Sequence, residues 1–291
     1  MTEIELLHVA CRQAGLDASR AELIRSGENA IYRLPGGVVA RVTRTGQLAT
    51  AAKEVAVARW LEEHGVDAVQ PLQDVEQPIA VDDRAVTFWH ELPPHTQGST
   101  LDVAVMLRQL HRLPPPAFAL PRLDPFVRIA ERIEGADTLA EDDREWLREH
   151  LESLRKQYAV LPPGLPTSVV HGDAWIGNIA VTAHRRVLLD FERCSLGPPE
   201  WDLIQSAMKV RSFGSAPAAE YVEFVAAYGH DVTNWSGFPT LRDIRELRMT
   251  TMAAQMAVAN PAKYHEQASH RLACLRGERG PRPWASWTPV P

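Results

Sequence analysis

Residues 30–44, "AIYRLPGGVVARVTR", alternate apolar and polar positions on either side of "PGG". They predict two strands joined by a tight turn, with Val38, Val39 and Val42 supporting the second strand. Residues 4–14 carry the pattern of a short helix. From 48 to 63 no breaker interrupts the chain, and Ala51, Val55, Ala58 and Leu61 or Glu62 recur at helical spacing, which predicts a helix stopped by Gly65. "AVQPLQ", "PIAVDD" and "AVTFWHEL" then read as short extended segments, up to the break at Pro93 and Pro94. Beyond it helical periodicity dominates, over 101–112, 125–135, 140–158, 200–211, 217–228 and 241–258. The exception is 168–192, where "SVV", "IAV" and "VLLDF" bracket polar turns like a strand–loop–strand unit. The pattern predicts an α+β protein: a small strand-rich part, 1–92, and a larger helical part, 93–291.

Composition narrows this picture. A chain of 291 residues, 45% hydrophobic and 23% charged, is an ordinary globular sequence long enough for two domains. The net charge is −6, with no basic stripe, so no nucleic-acid partner is expected. No run of about 18 apolar residues occurs, so no membrane span is expected. "MTEIELLHVACRQAG" lacks the basic start and apolar core of a signal peptide. Cys11, Cys194 and Cys274 are widely spaced and outside any CxxC pair, which points away from a disulfide framework or zinc site and toward a reducing cytoplasm.

The chemistry concentrates in "HGDAWIGN", 171–178, and "VLLDFE", 187–192. Asp173 and Asn178 are five apart, after a strand-like run, and Asp190 ends the next such run. An acid on its own would be a turn former. The three together are the parts of a phosphoryl-transfer site: one carboxylate takes the proton of the attacking hydroxyl, while an amide oxygen and a second carboxylate hold Mg²⁺. With "LLDFERCSLGPPEWDL", these residues resemble the aminoglycoside phosphotransferase and choline-kinase-like family, small-molecule kinases with a bilobal, protein-kinase-like fold. His171, Gly172, Asp173, Asn178, Asp190, Phe191, Glu192, Gly197, Asp202 and Leu203 match its pattern.

The resemblance implies Asp173 as catalytic acid/base and Asn178 and Asp190 as ligands of Mg²⁺. His171 and Asp202 would support the loop, and Glu192 would add a carboxylate near the metal or brace the loop. In the first part, Gly27 and Asn29 of "SGENAIYRL" lie where the family has its phosphate-covering turn, without a GxGxxG. Arg41 stands at the strand position of the kinase lysine that touches phosphate, a task an arginine fork can perform. Glu54 is its natural ion-pair partner. The competing readings are a surface strand arginine and a solvent-facing helix acid, because Lys53 and Arg59 mark a polar helix face. Trp89, His90, Glu91 and Leu92 resemble the hinge that holds the nucleobase of ATP or GTP.

Family members phosphorylate hydroxyls of antibiotics, choline, homoserine and sugars. The acids around Asp142 and Asp143 are candidates for a cationic acceptor's pocket or for an ordinary solvated helix face. Trp175 offers an aromatic face to an acceptor or packs in the core. The leading expectation is a kinase that phosphorylates an antibiotic. A metabolite kinase and an inactive nucleotide-binding regulator are the alternatives, the latter disfavoured by the intact acids. A protein kinase is disfavoured because Asp190 and Trp201 are too close in sequence for a peptide platform.

Overall fold

The computed structural model describes residues 1–288; the end of the Pro- and Trp-rich tail, 289–291, lies outside the described residues. The protein is α+β, with a sheet-rich N-terminal part and a helical C-terminal part. It divides into two compact units, Met1–Pro121 with Ser168–Leu196, and Arg122–Thr167 with Gly197–Pro291. Residues 168–196, with "HGDAWIGN", thus cluster with the N-terminal sheet.

In the first unit, helix α1 (Glu3–Ala14) precedes strands β1 (Glu22–Arg25), β2 (Ala30–Leu34) and β3 (Val38–Val42). Helix α2 (Leu48–Glu63), β4 (Ile79–Val81) and β5 (Arg84–His90) follow. The five strands form an antiparallel sheet in the order β1-β2-β3-β5-β4. "PGG" turns the β2–β3 hairpin, with Gly36 and Gly37 at φ 80° and 73°, a region that costs glycine nothing. Strand alternation then sorts the side chains: Ala30, Tyr32, Leu34, Val38, Ala40 and Val42 are buried in a core with Leu6, Leu7, Ala10 and Cys11 of α1. Ile31, Arg33, Val39 and Arg41 point to the opposite face. Helix α2 has the bounds its periodicity predicts. It ends where the Gly65 N–H binds Glu62 O and the Val66 N–H binds Leu61 O, with Gly65 left-handed.

The structure departs from the sequence reading at two places here. "AVQPLQ" forms no strand, only the isolated bridges Ala68↔Leu188 and Pro71↔Trp89, because Pro71 cannot sustain a ladder. Strand β1 lacks any sequence signal because all four residues are exposed at the sheet edge.

The rest of this unit holds β6 (Thr96–Gln97), α3 (Thr100–Leu110), β7 (Ser168–Val170), β8 (Ile179–Val181), β9 (Arg186–Leu188) and β10 (Ser195–Gly197), which pairs with β7. Ser99 and Asp102 cap α3 reciprocally. Strands β8 and β9 form a hairpin with Ile179 opposite Leu188, flanked by β6.

The second unit is helical: α4 (Ile129–Glu134), α5 (Glu141–Ala159), α6 (Glu200–Arg211), α7 (Ala218–Tyr228), α8 (Phe238–Ala259) and α9 (Pro261–Leu275). Helix α8 lies centrally against α4, α5, α6 and α9. The helix expected over 125–135 starts only at Ile129, because Asp124 turns the chain by accepting from the Phe126 N–H and Arg128 is left-handed. Helix α9 has no counterpart in the pattern: "NP" reads as a break, yet Pro261 opens the helix and Asn260 caps it through the Lys263 N–H. Among the described residues, no helix is long and apolar enough to cross a membrane.

Candidate active site

The register of the β8–β9 hairpin builds the centre of the site. Since Ile179 faces Leu188, the residues just outside the ladder, Asn178 and Leu189, also meet: the Leu189 N–H donates to Asn178 O at 3.0 Å. Asp190 follows at once, so a twelve-residue separation in sequence closes at one end of a hairpin. The preceding 3₁₀ turn, Ile176–Asn178, buries Asn178. Its Nδ2 donates to Asp173 O at 2.9 Å, which leaves its Oδ1 directed elsewhere.

His171 is buried, with Nε2 2.9 Å from Leu189 O and Nδ1 3.4 Å from the Asp173 N–H. It ties the acid's loop to the Asp190 segment. Gly172 has φ 83°, and a Cβ there would sit 2.5 Å from Arg193 O, so the loop needs glycine on both counts. Asp190 itself has φ 62°, uncommon for a non-glycine residue and a local strain the surroundings must hold.

The sheet supplies the opposite wall. Arg41 on β3 pairs with Glu54 on α2, Nη1 to Oε2, at 2.5 Å. Glu54 is only 3% exposed, so it is a core acid and the solvent-facing reading is excluded. Burial pushes its carboxyl up to about 7; Arg41 opposes the rise, and the negative charges of Asp190 and Glu192 add to it. The Arg41 fork has further partners. Asn29, with its amide oriented to satisfy both ends, accepts from Nε at 3.1 Å and Nη2 at 2.7 Å. The Glu192 carboxylate lies 3.8 Å from Nη2. Residues 26–29 form the β1–β2 turn, where a Cβ on Gly27 would meet nothing nearer than Arg25 Nε at 3.9 Å.

Arg41, Glu54 and Asp190 line one cavity of about 630 Å³ in this unit, with Ile31, Val39 and Phe191 among its apolar walls. Trp89, His90, Glu91 and Leu92 line it too. The Trp89 indole N–H donates to Thr87 Oγ1 at 2.8 Å, while Glu91 holds Arg33 at 2.6 Å. The Arg33–Glu91 pair and the Asn29–Arg41 contact carry no sequence signal; only strand alternation puts 31, 33, 39 and 41 on one face.

Other expected site residues are not among those that line this cavity. Trp175 is 43% exposed, its ring over Gly177 where a Cβ would collide with it. Asp202 is fully buried in the first turn of α6, in the second unit. Asp142 and Asp143 open α5 there. Asp142 is exposed, Asp143 binds Arg276 at 2.6 Å, and neighbouring Glu141 pairs with Arg144 and Arg148.

The donors fit Mg²⁺. An amide oxygen and a carboxylate are hard ligands, and this ion takes one or two protein groups plus phosphate oxygens rather than an all-protein cage.

The five-stranded sheet with its Arg41–Glu54 pair, followed in the same unit by the loop of Asp173 and Asn178 and the hairpin that ends at Asp190, has the arrangement of the protein-kinase-like fold. The Phosphotransferase enzyme family profile matches residues 20–244, so the chain belongs to that family and is a small-molecule kinase. No curated protein sequence matches it. Among solved structures, the amicoumacin kinase hAmiN in complex with AMP-PNP, Ca²⁺ and Ami is 13% identical, with TM-score 0.74 over 98% of this chain and 96% of that one. A spectinomycin phosphotransferase with ADP and spectinomycin is 14% identical, TM-score 0.65, over 95% and 93%. Choline kinase LicA from Streptococcus pneumoniae is 16% identical, TM-score 0.63, over 94% and 100%.

Proposed function

We propose that the protein transfers the γ-phosphate of ATP or GTP to a hydroxyl of a small molecule, with Mg²⁺, and that the acceptor is an antibiotic of the aminoglycoside, macrolide or tuberactinomycin type. Residues 1–92 form the nucleotide-binding part, ending in the hinge at Trp89–Leu92; residues 93–291 carry the catalytic loop, the metal segment and the acceptor site. The observation that carries the reading is the hairpin register, which brings Asn178 and Asp190 together beside the loop of Asp173, with Asp190 lining the same cavity as Arg41.

Asp173 accepts the acceptor's hydroxyl proton as that oxygen attacks the γ-phosphorus; the bond from phosphorus to the bridging oxygen breaks, and the nucleoside diphosphate leaves with its electron pair. Arg41, oriented by Glu54, and Asn29 of the turn bind the phosphates. Asn178 and Asp190 would hold the metal, which when bound would neutralise charge on the phosphate oxygens. The base lies between the apolar walls at Ile31, Val39 and Phe191, against the hinge.

The antibiotics in two of the neighbouring structures support the acceptor class. A metabolite acceptor such as choline, homoserine or a sugar is the second reading. It is favoured by the pairing of Glu141 and Asp143 with arginines, which weakens the field available to a polycation. Nucleotide consumption against a panel of hydroxyl-bearing antibiotics and metabolites, with Asp173→Ala as control, tests both. The variant should bind nucleotide normally and lose transfer. Retention of a tenth or more of wild-type kcat would remove Asp173 from the role of base.

A further inference from the structure

Lys53 and Glu54 are adjacent on α2, and the sequence assigns Lys53 to a solvated face. The structure turns it inward: Lys53 is half-buried, and Nζ donates to Glu192 O at 2.5 Å and to Cys194 O at 3.2 Å. Those carbonyls belong to the short turn that follows Asp190, closed by the Cys194 N–H donating to Phe191 O at 3.1 Å. The carbonyl between them, Arg193 O, is the one that Gly172 packs against. Of three successive carbonyls after Asp190, one ammonium therefore holds two, and the third lies close against Gly172 of the preceding loop.

This matters because Asp190 is left-handed, with φ 62°, and the Glu192 N–H that approaches its Oδ1 does so at a long 3.4 Å. A strained residue keeps its conformation only when its surroundings over-determine it. Helix α2 then sets both poles of the site. Glu54 orients the phosphate-binding Arg41, and its neighbour anchors the segment that carries Asp190.

We propose that Lys53 is a positioning residue that holds the 190–194 turn, and through it the Asp190 carboxylate, in the metal-binding geometry. This rests on the reading of Asp190 as a Mg²⁺ ligand. Methionine in place of Lys53 keeps the aliphatic stem and removes the donor. Two measurements decide, neither of which needs the acceptor: amide hydrogen exchange across 190–194 in the metal-free protein, and mant-ATP binding titrated with and without Mg²⁺.

In Lys53→Met, exchange across 190–194 should quicken about tenfold or more while the sheet keeps its protection. The Mg²⁺ concentration that half-saturates the binding response should rise about tenfold, because a hard cation loses a well-placed oxygen. Metal-free mant-ATP affinity should stay within about twofold, and Lys53→Arg, which also donates to two carbonyls, should recover both properties to within about threefold. If Lys53→Met does not fold, Lys53→Gln, which reaches at most one carbonyl, should show the same changes at about threefold.

Unchanged exchange across 190–194 would overturn the proposal. So would an equal loss of metal-free mant-ATP affinity, which would make Lys53 a direct phosphate ligand. An Asp190→Asn control separates the two levels of inference. If it keeps the wild-type Mg²⁺ response, the metal reading of Asp190 fails, while the exchange data still decide whether Lys53 holds the turn.

Discussion

Glu54→Gln should make the protein more stable and less active, and the stability gain should depend on pH. The Glu54 carboxyl moves from 4.5 to about 7 on folding because it is buried, with Asp190 and Glu192 nearby; Arg41, at 2.5 Å, only partly offsets this. Each tenfold change in proton affinity corresponds to about 1.4 kcal/mol, so a rise of this size corresponds to about 3 kcal/mol. The folded state binds the proton more tightly than the unfolded chain. The contribution to stability is therefore complete below about 4.5, falls as pH rises toward about 7, and is absent above it. Glutamine copies the protonated form in shape and keeps an acceptor for Arg41.

At pH 5 the two proteins should unfold within about 1 kcal/mol of each other; at pH 8 the variant should be more stable by about 3 kcal/mol. With a urea dependence near 3 kcal/mol per molar, the midpoint at pH 8 should move up by about 1 M. Urea unfolding of the metal-free protein at both pH values, followed by tryptophan fluorescence, measures this. Phosphoryl transfer should fall about tenfold, the rate equivalent of one lost charge-assisted hydrogen bond to Arg41. A variant less stable than wild type at pH 8, or a difference that does not change with pH, would refute the argument. The Arg41–Glu54 attraction would then outweigh the cost of burying the acid, contrary to the usual balance for a buried pair.

Asp190→Asn should weaken Mg²⁺-dependent nucleotide binding and kcat together, because one anionic ligand is lost; a Mg²⁺ titration of both quantities checks it. Gly172→Ala should cost at least about 2 kcal/mol of stability by urea unfolding, since alanine would need both φ 83° and a 2.5 Å approach to Arg193 O. If the acceptor is cationic, Asp142→Asn with Asp143→Asn should raise the acceptor KM at low salt, leave the nucleotide KM alone, and lose the effect as salt is added. Equal acceptor KM values at low salt would favour a neutral acceptor, and the loss of the Arg276 pair would then show only as a change of about 0–1 kcal/mol in stability.

The local pattern was enough to place the β2–β3 hairpin, the full length of α2 and most of the C-terminal helices, and it singled out 173, 178 and 190 as the candidate acid–amide–acid set. These features are short-range: alternation, helical periodicity, glycine stops and a motif whose spacing is set by one loop and one hairpin. Where the pattern failed, tertiary contacts outweighed local preference. Strand β1 exists because β2 offers it a partner, not because its exposed residues favour a strand. Helix α9 begins at the proline that seemed to end order, because its Tyr264, Ala268 and Leu272 are buried, and α9 packs on α8.

The charged residues show the limit most clearly. Lys53 and Glu54 look like one polar helix face, and nothing within α2 reveals that both turn inward. Arg41, thirteen residues before Glu54 and on another element, supplies one partner, and carbonyls near position 193 supply the other. The acids at the start of α5 look like free negative charge until Arg276, more than a hundred residues later, neutralises one of them. Sequence determines which groups can carry charge and where the chain bends. Whether a charge is buried, paired or left for a ligand depends on partners distant in sequence, and only the folded chain brings those partners within hydrogen-bonding distance.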